Sequence, residues 1–457
     1  DNMDHISMAV QYYGTQPTGG EGITRDLGVV GSANYSYDNR YLLDVNYRLT
    51  GSSDFGADKR WGHFYSFGAG WNVHEEKFLK DVVWINRIKL RASTGYTGSQ
   101  GFSTYAAVPT VNYYQSGYRG QLGSYLLGLA NPDLAWQKKY DNNLGIDVTF
   151  LDGSLNGRFD WYVSTTKGTI TNVTTPPSTG FASYTANLGE VENKGWEAYL
   201  NWRVWNEKAS MSYVTLYVSA SGNENTLKKV SNSLKSMNDV TDKDYDEKSE
   251  NTSVPVRYEE GASMSTIWVV KSLGIDPETG KEVFRKKDGS LTYDWDSRDY
   301  VDGGDTRPKV SGNFGINAEW HGIGLNAGFT WRLGGQIYNT TLLNKVENAD
   351  VHKNVDRRVF TDRWNTPGQV ARFKAISDDS STQPTSRFVE DYNLLTFSSL
   401  NVYYDFRECG FVKNSFLQRM KATFYMNDIA TISSVKTERG TSYPFARTFS
   451  FSLQVTF

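Results

Sequence analysis

The chain has 457 residues, a formal net charge of −3 and a single cysteine, Cys409, which excludes an internal disulfide. Without a global basic field, nucleic acid is not favoured as a partner. Mean hydropathy is −0.54 and no apolar run approaches the ~20 residues of a membrane helix, which excludes a helical membrane protein. A membrane β-barrel stays open, and the 29 Tyr, 23 Phe, 13 Trp and 42 Gly fit strands, turns and aromatic girdles.

Apolar and polar residues alternate along the chain with the period of two that is typical of strands with unlike faces. In YLLDVNYRLT (41–50), for example, Leu43 and Val45 alternate with Asp44 and Asn46. The pattern predicts fourteen strands, at 4–13, 27–37, 41–50, 62–74, 85–96, 140–151, 154–165, 190–205, 211–222, 309–321, 324–334, 395–406, 417–427 and 447–457.

The polar face of these strands carries full charges, among them Arg48, Arg91, Arg158 and Arg332. In a soluble sandwich such residues would face outward, whereas in a barrel they would face the lumen. Strand length favours the barrel, because 10–12 residues rise about 33–40 Å and cross a bilayer when tilted. Strands of globular proteins are commonly about 5–6 residues long.

Short and long connections alternate along the chain. Short turns are predicted at 37–40, 151–154 and 320–323, where Asp-Asn, Asp-Gly and His-Gly suit tight hairpins. Long polar connections are predicted at 51–61, 97–139, 166–189, 223–308, 335–394 and 428–446. This alternation predicts that the short turns are periplasmic and that the long connections are extracellular loops.

Two further strand-like segments, STIWVVKSLGI (265–275) and KEVFRKKDGSLTYDW (281–295), fall inside one long loop. The parity of up and down strands then predicts that 265–295 forms an extracellular hairpin outside the wall, with KDGS (287–290) as its turn. The charged run MNDVTDKDYDEKSEN (237–251) contains little that could pack and is predicted to be a mobile loop tip.

Longer stretches of the sequence resemble SusC/RagA-like, TonB-linked outer-membrane transporters. The similarity covers essentially the whole chain, and its motifs occur in the family's order. They are NYSYDNRYLLDVNYRLTGSSDFGADKRWGHFYSFGAGWNVHEEKFL (34–79), WINRIKLRASTGYTGSQG (84–101), NPDLAWQKKYDNNLGIDVTFLDGSLNGRFDWY (131–162), GEVENKGWEAYLNW (189–202), GIDPETGKEVF (274–284), GDTRPKVSGNFGINAEW (304–320), PTSRFVEDYNLLTFSSLNVYYDF (384–406) and RGTSYPFARTFSFSLQVTF (439–457).

The resemblance implies an all-β transmembrane antiparallel barrel of about 22 strands around an N-terminal plug. Residues 1–457 would then be its C-terminal portion, with the plug, the remaining strands and the TonB-binding region outside this chain. It further implies a Gram-negative outer membrane and a SusD-like lipoprotein above the long loops 97–139, 223–308 and 335–394. The arginines of the polar face would pair with acidic groups of the plug or, less simply, touch substrate.

No catalytic arrangement is recognisable in the sequence, and no enzyme activity or cofactor is predicted. The five histidines form neither HExxH nor a spaced Cys/His array. Asp302 and Asp305 in SRDYVDGGDTRP are candidate calcium ligands, because calcium prefers several oxygen ligands. The alternative is a solvated acidic loop.

Aromatic residues of the outer loops are the better candidates for contact with a ligand or lid. They are Tyr113, Tyr114 and Tyr118 in one loop and Trp268, Tyr293 and Trp295 in the predicted hairpin. Flat rings stack on sugars or clamp peptides, but they also pack within loops and against protein partners.

The closing strand RTFSFSLQVTF places apolar residues on one face, namely Phe449, Phe451, Leu453, Val455 and Phe457. A terminal aromatic on such a strand resembles the signal read by the barrel-assembly machinery of outer membranes. The sequence as a whole favours a TonB-dependent importer of glycans or oligopeptides. The alternative is a secreted all-β protein that binds or cleaves glycans.

Overall fold

The computed structural model describes residues 14, 22–56, 59–99, 106–114, 119–121, 123–129, 131–174, 180–181, 183–187, 189–247, 251–350, 352–436 and 446–457. Within them the chain is built mainly of strands, with few helical segments. No helix among these residues has the length and apolar character needed to span a membrane.

The strands of the described residues follow one another in chain order and differ greatly in length. They are β1 (Asp26–Tyr37), β2 (Tyr41–Ser52), β3 (Trp61–Asn72), β4 (Ile85–Ser99), β5 (Thr110–Tyr113), β6 (Ser124–Gly128), β7 (Gln137–Phe150), β8 (Leu155–Lys167), β9 (Ile170–Thr174), β10 (Ser183–Asn187), β11 (Glu190–Glu207), β12 (Ser212–Lys229), β13 (Thr266–Ile275), β14 (Glu282–Arg285), β15 (Leu291–Thr292), β16 (Tyr300–Asp305), β17 (Val310–Trp320), β18 (Ile323–Tyr338), β19 (Val389–Asp405), β20 (Arg419–Ser433) and β21 (Phe449–Thr456). The α-helices are α1 (Asn232–Glu247), α2 (Thr340–Leu342), α3 (Arg358–Thr361) and α4 (Gly410–Lys413).

Thirteen of these strands form one antiparallel sheet, which we call the wall. Its order is β1-β2-β3-β4-β7-β8-β11-β12-β17-β18-β19-β20-β21, so each wall strand pairs with the wall strands that precede and follow it in the chain. Connections alternate between two ends of the wall. The short-turn end carries tight turns such as 321–322, and the long-loop end carries 230–309 and 339–388.

The register of the wall gives it one apolar and one polar face. Tyr41 lies opposite Trp71, and Trp71 lies opposite Leu90. The same row continues through Ile146 and Phe159. Because strand side chains alternate, this row and its second neighbours define the apolar face, and the residues between them define the polar face.

The two-residue turn between β17 and β18 depends on backbone that favours glycine. His321 has φ 49° and Gly322 has φ 87°, the left-handed conformations of a tight hairpin turn. A Cβ at Gly322 would also lie 2.7 Å from the carbonyl oxygen of Asp405. The predicted turn at 320–323 is therefore confirmed, as is the prediction that His321 and Gly322 suit a tight hairpin.

Thirteen of the fourteen predicted strands coincide with the thirteen wall strands. The predicted strand at 4–13 lies outside the described residues. Several strands extend further toward the long-loop end than predicted: β12 reaches Lys229 and β20 reaches Ser433. Near the long-loop end of these strands, polar residues no longer alternate with apolar ones. The sequence pattern therefore ends before the backbone hydrogen bonding of the strands does.

The predicted hairpin at 265–295 is wrong in detail. The segment does lie outside the wall, but it belongs to a four-stranded sheet in the order β15-β14-β13-β16. The β13–β14 connection is at 276–281, where Gly280 N–H donates to the carbonyl of Asp276. KDGS is the turn between β14 and β15 instead, and Asp288 accepts there from the backbone N–H of Ser290 at 2.8 Å.

The prediction of an unpacked tip at 237–251 is also wrong over its described part. Residues 232–247 form α1, which packs Leu234 against the wall strands β11 and β12 and Tyr245 against Trp268 and Tyr300 of the loops. Asn238 fixes the helix to the backbone of Tyr258 with hydrogen bonds of 2.8 and 2.9 Å. Apolar residues at wide helical spacing supplied the packing that the charged composition concealed.

Candidate functional site at the long-loop end

Two long connections of the wall, 230–309 and 339–388, pack together into one body. Ile267 and Val269 of β13 are buried against Leu343, Val346 and Phe373 of the second connection. These side chains are among the most completely buried in the described residues. We call this unit the loop body; its core forms between segments that are distant in sequence.

An ionic cluster lies beside that core and joins the two connections. Arg387 donates to Glu282 at 2.7 Å and to Glu347 at 2.6 Å. Thr385 donates to the other oxygen of Glu282 at 2.6 Å. Burial acts to lower the pKa of Arg387, but the two carboxylates outweigh it and raise the pKa above its usual range. The guanidinium therefore stays charged inside the loop body.

Hydrogen bonds to backbone carbonyls add further ties between the two connections. The indole N–H of Trp364 donates to Pro277 O at 2.7 Å, and that of Trp295 donates to Pro384 O at 3.1 Å. The backbone N–H of Ser272 donates to Ser386 Oγ at 2.9 Å. The connections are thus joined at several separate points.

A second buried cluster holds α1 on the loop body. The guanidinium of Arg257 lies 5.8 Å from the ring centre of Trp268 and 5.2 Å from that of Tyr300, and it pairs with Asp242. Burial raises the pKa of Asp242, and Arg257 opposes that rise. Cation–π contacts and the ion pair together satisfy a charge that the surrounding apolar groups would otherwise exclude.

The candidate aromatic residues fall into different environments. Tyr113 and Tyr114 are exposed near the β5–β6 hairpin, and the ring of Tyr114 lies 5.0 Å from that of Tyr125. Tyr118 lies outside the described residues. Tyr293 is exposed and donates to Asp276 at 2.6 Å.

Trp295 and Trp268 pack within the loop body instead. Trp295 is half-buried with an edge-to-face contact of 5.5 Å to Tyr300. Trp268 is only 4% exposed and forms part of the Arg257 cluster. For Trp268 the loop-packing interpretation describes the observed environment, and the surface is left to Tyr113, Tyr114 and Tyr293.

All four predicted arginines lie on the polar face of the wall. Arg91 pairs with Asp147 at 2.8 Å and with Asp160 at 3.0 Å, and Arg158 pairs with the same Asp160 at 2.5 Å. These contacts cross β4, β7 and β8. The acidic partners of Arg91 and Arg158 are therefore supplied by the wall itself.

The other two arginines make local contacts. Arg48 donates to Thr50 Oγ1 at 2.6 Å. Arg332 donates to Thr306 O at 3.3 Å and lies 5.6 Å from the ring centre of Tyr392. Their contact with a plug or a substrate stays a prediction.

The calcium candidates Asp302 and Asp305 bind local backbone. Asp302 Oδ1 accepts from Gly304 N–H and Asp305 Oδ1 accepts from Arg307 N–H, each at 2.8 Å. Among the described residues no group of three or more His, Cys, Asp or Glu side chains is arranged to hold a metal ion. Calcium binding stays a prediction.

The closing strand β21 pairs with β20 and presents aromatic rings on the apolar face. Phe424 lies opposite Phe451, and their ring centres are 5.0 Å apart. Phe449, Leu453 and Phe457 are exposed, whereas Val455 is half-buried. Phe457 stacks on Phe416 at 5.8 Å. Its role as an assembly signal stays a prediction.

The cluster of Glu282, Glu347 and Arg387 was missed by the sequence analysis. Arg387 and Glu282 are 105 positions apart, so no local pattern connects them. The available signal was Arg387 itself, which lies in the family-like stretch PTSRFVEDYN just before the wall strand β19.

A long antiparallel sheet with an exposed apolar face, a charged polar face and long connections at one end defines the wall of a transmembrane β-barrel. The chain belongs to the TonB dependent receptor-like β-barrel family, whose model matches residues 4–344. The fold class and the resemblance predicted from sequence are confirmed. The described residues form an open sheet, with β1 and β21 at its edges.

Individual relatives agree with the family match. TonB-dependent receptor P39 of Formosa agariphila is 25% identical, and the alignment covers 94% of this chain and 45% of that protein. SusC of Bacteroides thetaiotaomicron is 37% identical over 37% of this chain and 18% of its own length. The chain spans about half the length of the first of these relatives.

Among solved structures, the RagAB peptide importer in its open-open state has the same fold. The TM-score is 0.79 at 21% identity, covering 95% of this chain and 47% of that chain. TonB-dependent receptors are outer-membrane proteins of Gram-negative bacteria, and their family is one of transporters and receptors.

Proposed function

We propose that the chain forms part of a TonB-dependent importer of glycans or oligopeptides in the outer membrane of a Gram-negative bacterium. The observation that carries this proposal is the combination of a two-faced wall with a tied loop body at one end. An apolar face suits lipid, a charged face suits a wet lumen, and a tied loop body suits recognition outside the cell.

In this proposal residues 1–457 act as the C-terminal portion of the barrel. The loops 97–139, 223–308 and 335–394 would contact a SusD-like surface lipoprotein and the cargo. The plug, the remaining strands and the TonB-binding region would be supplied by sequence outside these residues. TonB would then act on the plug. The two predicted arginines with local contacts, Arg48 and Arg332, would contact the plug.

The two cargo classes have different support. The matching solved structure is described as a peptide importer, which supports an oligopeptide. Exposed rings such as Tyr113, Tyr114 and Tyr293 suit stacking on sugars as well as contact with peptide side chains. No observation specifically favours the alternative of a secreted protein that binds or cleaves glycans.

Fractionation and co-purification test the proposal. The protein, tagged in its native host, should remain in the outer-membrane fraction until detergent is added, and a surface lipoprotein should co-purify with it. Deleting its gene should abolish growth on one class of polymer, with peptides and glycans supplied separately as sole nutrient. Recovery in the soluble secreted fraction would overturn the proposal, as would unchanged growth on every glycan and peptide tested.

A further inference from the structure

The apolar face of the wall is interrupted by a groove near the short-turn end. Its volume is about 770 Å³, and it crosses β2, β3, β4, β7 and β8. Six of the side chains that line it on this face are Ala69, Trp71, Leu90, Ala92, Leu144 and Trp161. All of them belong to the described wall.

The groove exists because small residues meet where large ones surround them. Ala69 lies directly opposite Ala92 in the β3–β4 register. In the row of these two alanines, Leu144 of β7 lies opposite Trp161 of β8. In the next row toward the short turns, Trp71 lies opposite Leu90. The methyl groups of Ala69 and Ala92 thus form the bottom of the groove, and the larger aromatic and aliphatic side chains form its sides.

The chemistry of this groove is almost entirely apolar. The polar groups on this face of the groove are the hydroxyl of Tyr41 and the indole N–H groups of Trp71 and Trp161. The hydroxyl of Tyr41 and the N–H of Trp71 donate to Glu76 at 2.8 and 3.0 Å. A peptide main chain placed there would leave N–H and C=O groups without partners. A hydrocarbon chain carries no such cost.

The connection 73–84 at the short-turn end has the character of a membrane interface. Phe78, Val83 and Trp84 are strongly exposed, and Lys77 and Lys80 are exposed beside them. Exposed aromatic and cationic side chains together are typical of the level of lipid headgroups. The groove begins next to this connection, since Trp71 and Leu90 flank it in sequence.

We propose that the groove holds one acyl chain of a glycerophospholipid from the membrane leaflet at the short-turn end. The occupant follows from continuity, because the groove opens onto the face that meets hydrocarbon. Lys77 and Lys80 lie on the side where the phosphate of such a lipid would be. This site is separate from the loop body and does not depend on the cargo of the transporter.

Photochemical crosslinking tests the proposal on the intact transporter extracted from membranes. The probe is a phosphatidylethanolamine with a diazirine in one acyl chain, added at a low molar ratio in detergent. Adducts are expected to concentrate on peptides that contain Ala92 and Leu144. Adducts spread evenly over the apolar face, or absent from these peptides, would overturn a defined site.

Filling the groove gives a second readout. Ala92→Leu should lower adduct formation at these peptides several-fold, because the larger side chain fills the groove and removes the van der Waals contacts that hold an acyl chain there. The matched control is Ala422→Leu, which adds the same side chain to the apolar face opposite Leu453 of the closing strand. Equal labelling of the two variants would contradict the proposal.

Native mass spectrometry distinguishes the lipid from a second copy of the chain. One retained phospholipid per transporter, lost in Ala92→Leu and kept in Ala422→Leu, supports the proposal. A lipid-free dimer that dissociates in Ala92→Leu would overturn it and assign the groove to protein contact. Both variants place an apolar residue on an apolar face, so heat-modifiable migration should be retained in each.

Discussion

Arg387 donates to two carboxylates that are almost completely buried. The side chains of Glu347 and Glu282 are 0% and 6% exposed. An ion pair of this kind is costly to disrupt from one side, because the charge left behind stays buried. The consequences of substituting these residues should therefore be local and large.

Arg387→Leu should loosen the loop body by about 3–5 kcal/mol while the wall remains assembled. The physical reason is that the carboxyl groups of Glu282 and Glu347 would stay buried without the cation that pairs with them. Limited proteolysis of membrane-embedded protein should show cleavage within 339–388 at much lower protease concentrations than for the unsubstituted chain.

Arg372→Leu is the matched control for that substitution. Its ion pair with Glu390 spans 2.7 Å, but the arginine is 53% exposed. Such a pair is worth about 0.2–1 kcal/mol. If Arg372→Leu and Arg387→Leu became equally sensitive to protease, the ionic cluster would not be what ties the two connections together.

The turn 276–281 is expected to respond to pH through Asp276. Its carboxylate accepts from the hydroxyl of Tyr293, the N–H of Glu278 and the hydroxyl of Thr279, which lower its pKa. Because the pKa of Asp276 is lower in the folded protein, its ionised carboxylate stabilises the turn at pH values above the ordinary Asp pKa of about 3.9. This stabilisation is lost as the pH falls through the lower pKa of the folded protein.

Hydrogen exchange of peptides over 276–281 should therefore show more opening at pH about 3 than at neutral pH after correction for intrinsic rates. In Asp276→Asn the turn should be looser at neutral pH, and the additional opening on acidification should be smaller. The same pH response in both proteins would show that another group controls the turn.

The assignment of the two faces of a wall strand can be tested on β18. Phe329, near the middle of β18, stacks between Phe314 at 4.9 Å and Phe397 at 4.6 Å. Phe329→Arg should cost about 2–4 kcal/mol, because a cation would enter hydrocarbon. Denaturant unfolding in lipid vesicles measures the cost.

The adjacent residue provides the control for the strand. Thr330 lies opposite Asn313 and Thr396 on the polar face. Thr330→Arg should be tolerated, since its side chain points away from lipid. Greater destabilisation by Thr330→Arg than by Phe329→Arg would show that the two faces have been assigned the wrong way round.

The closing strand carries a separate prediction about assembly. Phe457→Ala should reduce the fraction of folded, heat-modifiable protein in the outer membrane, because it removes the terminal ring that stacks on Phe416. Thr456→Ala, on the other face of the same strand, should leave that fraction unchanged. An equal effect of the two variants would assign the loss to strand pairing.

At the scale of the whole molecule, the two edges of the wall dominate the energetics. β1 and β21 are not paired with each other in the described residues. In hydrocarbon each unpaired backbone group costs several kcal/mol, so an open sheet of this length is not stable there. In the proposed function, strands outside these residues would close the wall.

A polypeptide restricted to these 457 residues should therefore fail to give a detergent-stable, heat-modifiable barrel. Aggregation or degradation is the expected outcome, measured by membrane fractionation and unheated gel migration. A co-produced segment that supplies the strands proposed to close the wall should restore assembly. Stable insertion of the restricted polypeptide alone would show that its edges find partners within the chain or between copies.

The wall follows from the sequence because its physical cause is local. The alternation of Leu43, Asp44 and Val45 indicates which face of the strand meets lipid. Turn residues such as His321 and Gly322 indicate where the chain reverses direction. Antiparallel neighbours joined by tight turns then leave little freedom in strand order. The family resemblance added the transporter class to what the residues alone supported.

The loop body and the groove were decided only by tertiary structure. Glu282 meets Arg387 across 105 positions, and Ala69 meets Ala92 through the register of two strands. Neither pair has a periodic signature, because each depends on where distant segments are brought by packing. Sequence periodicity specifies the face of a strand, whereas complementarity between faces and loops is a property of the folded chain.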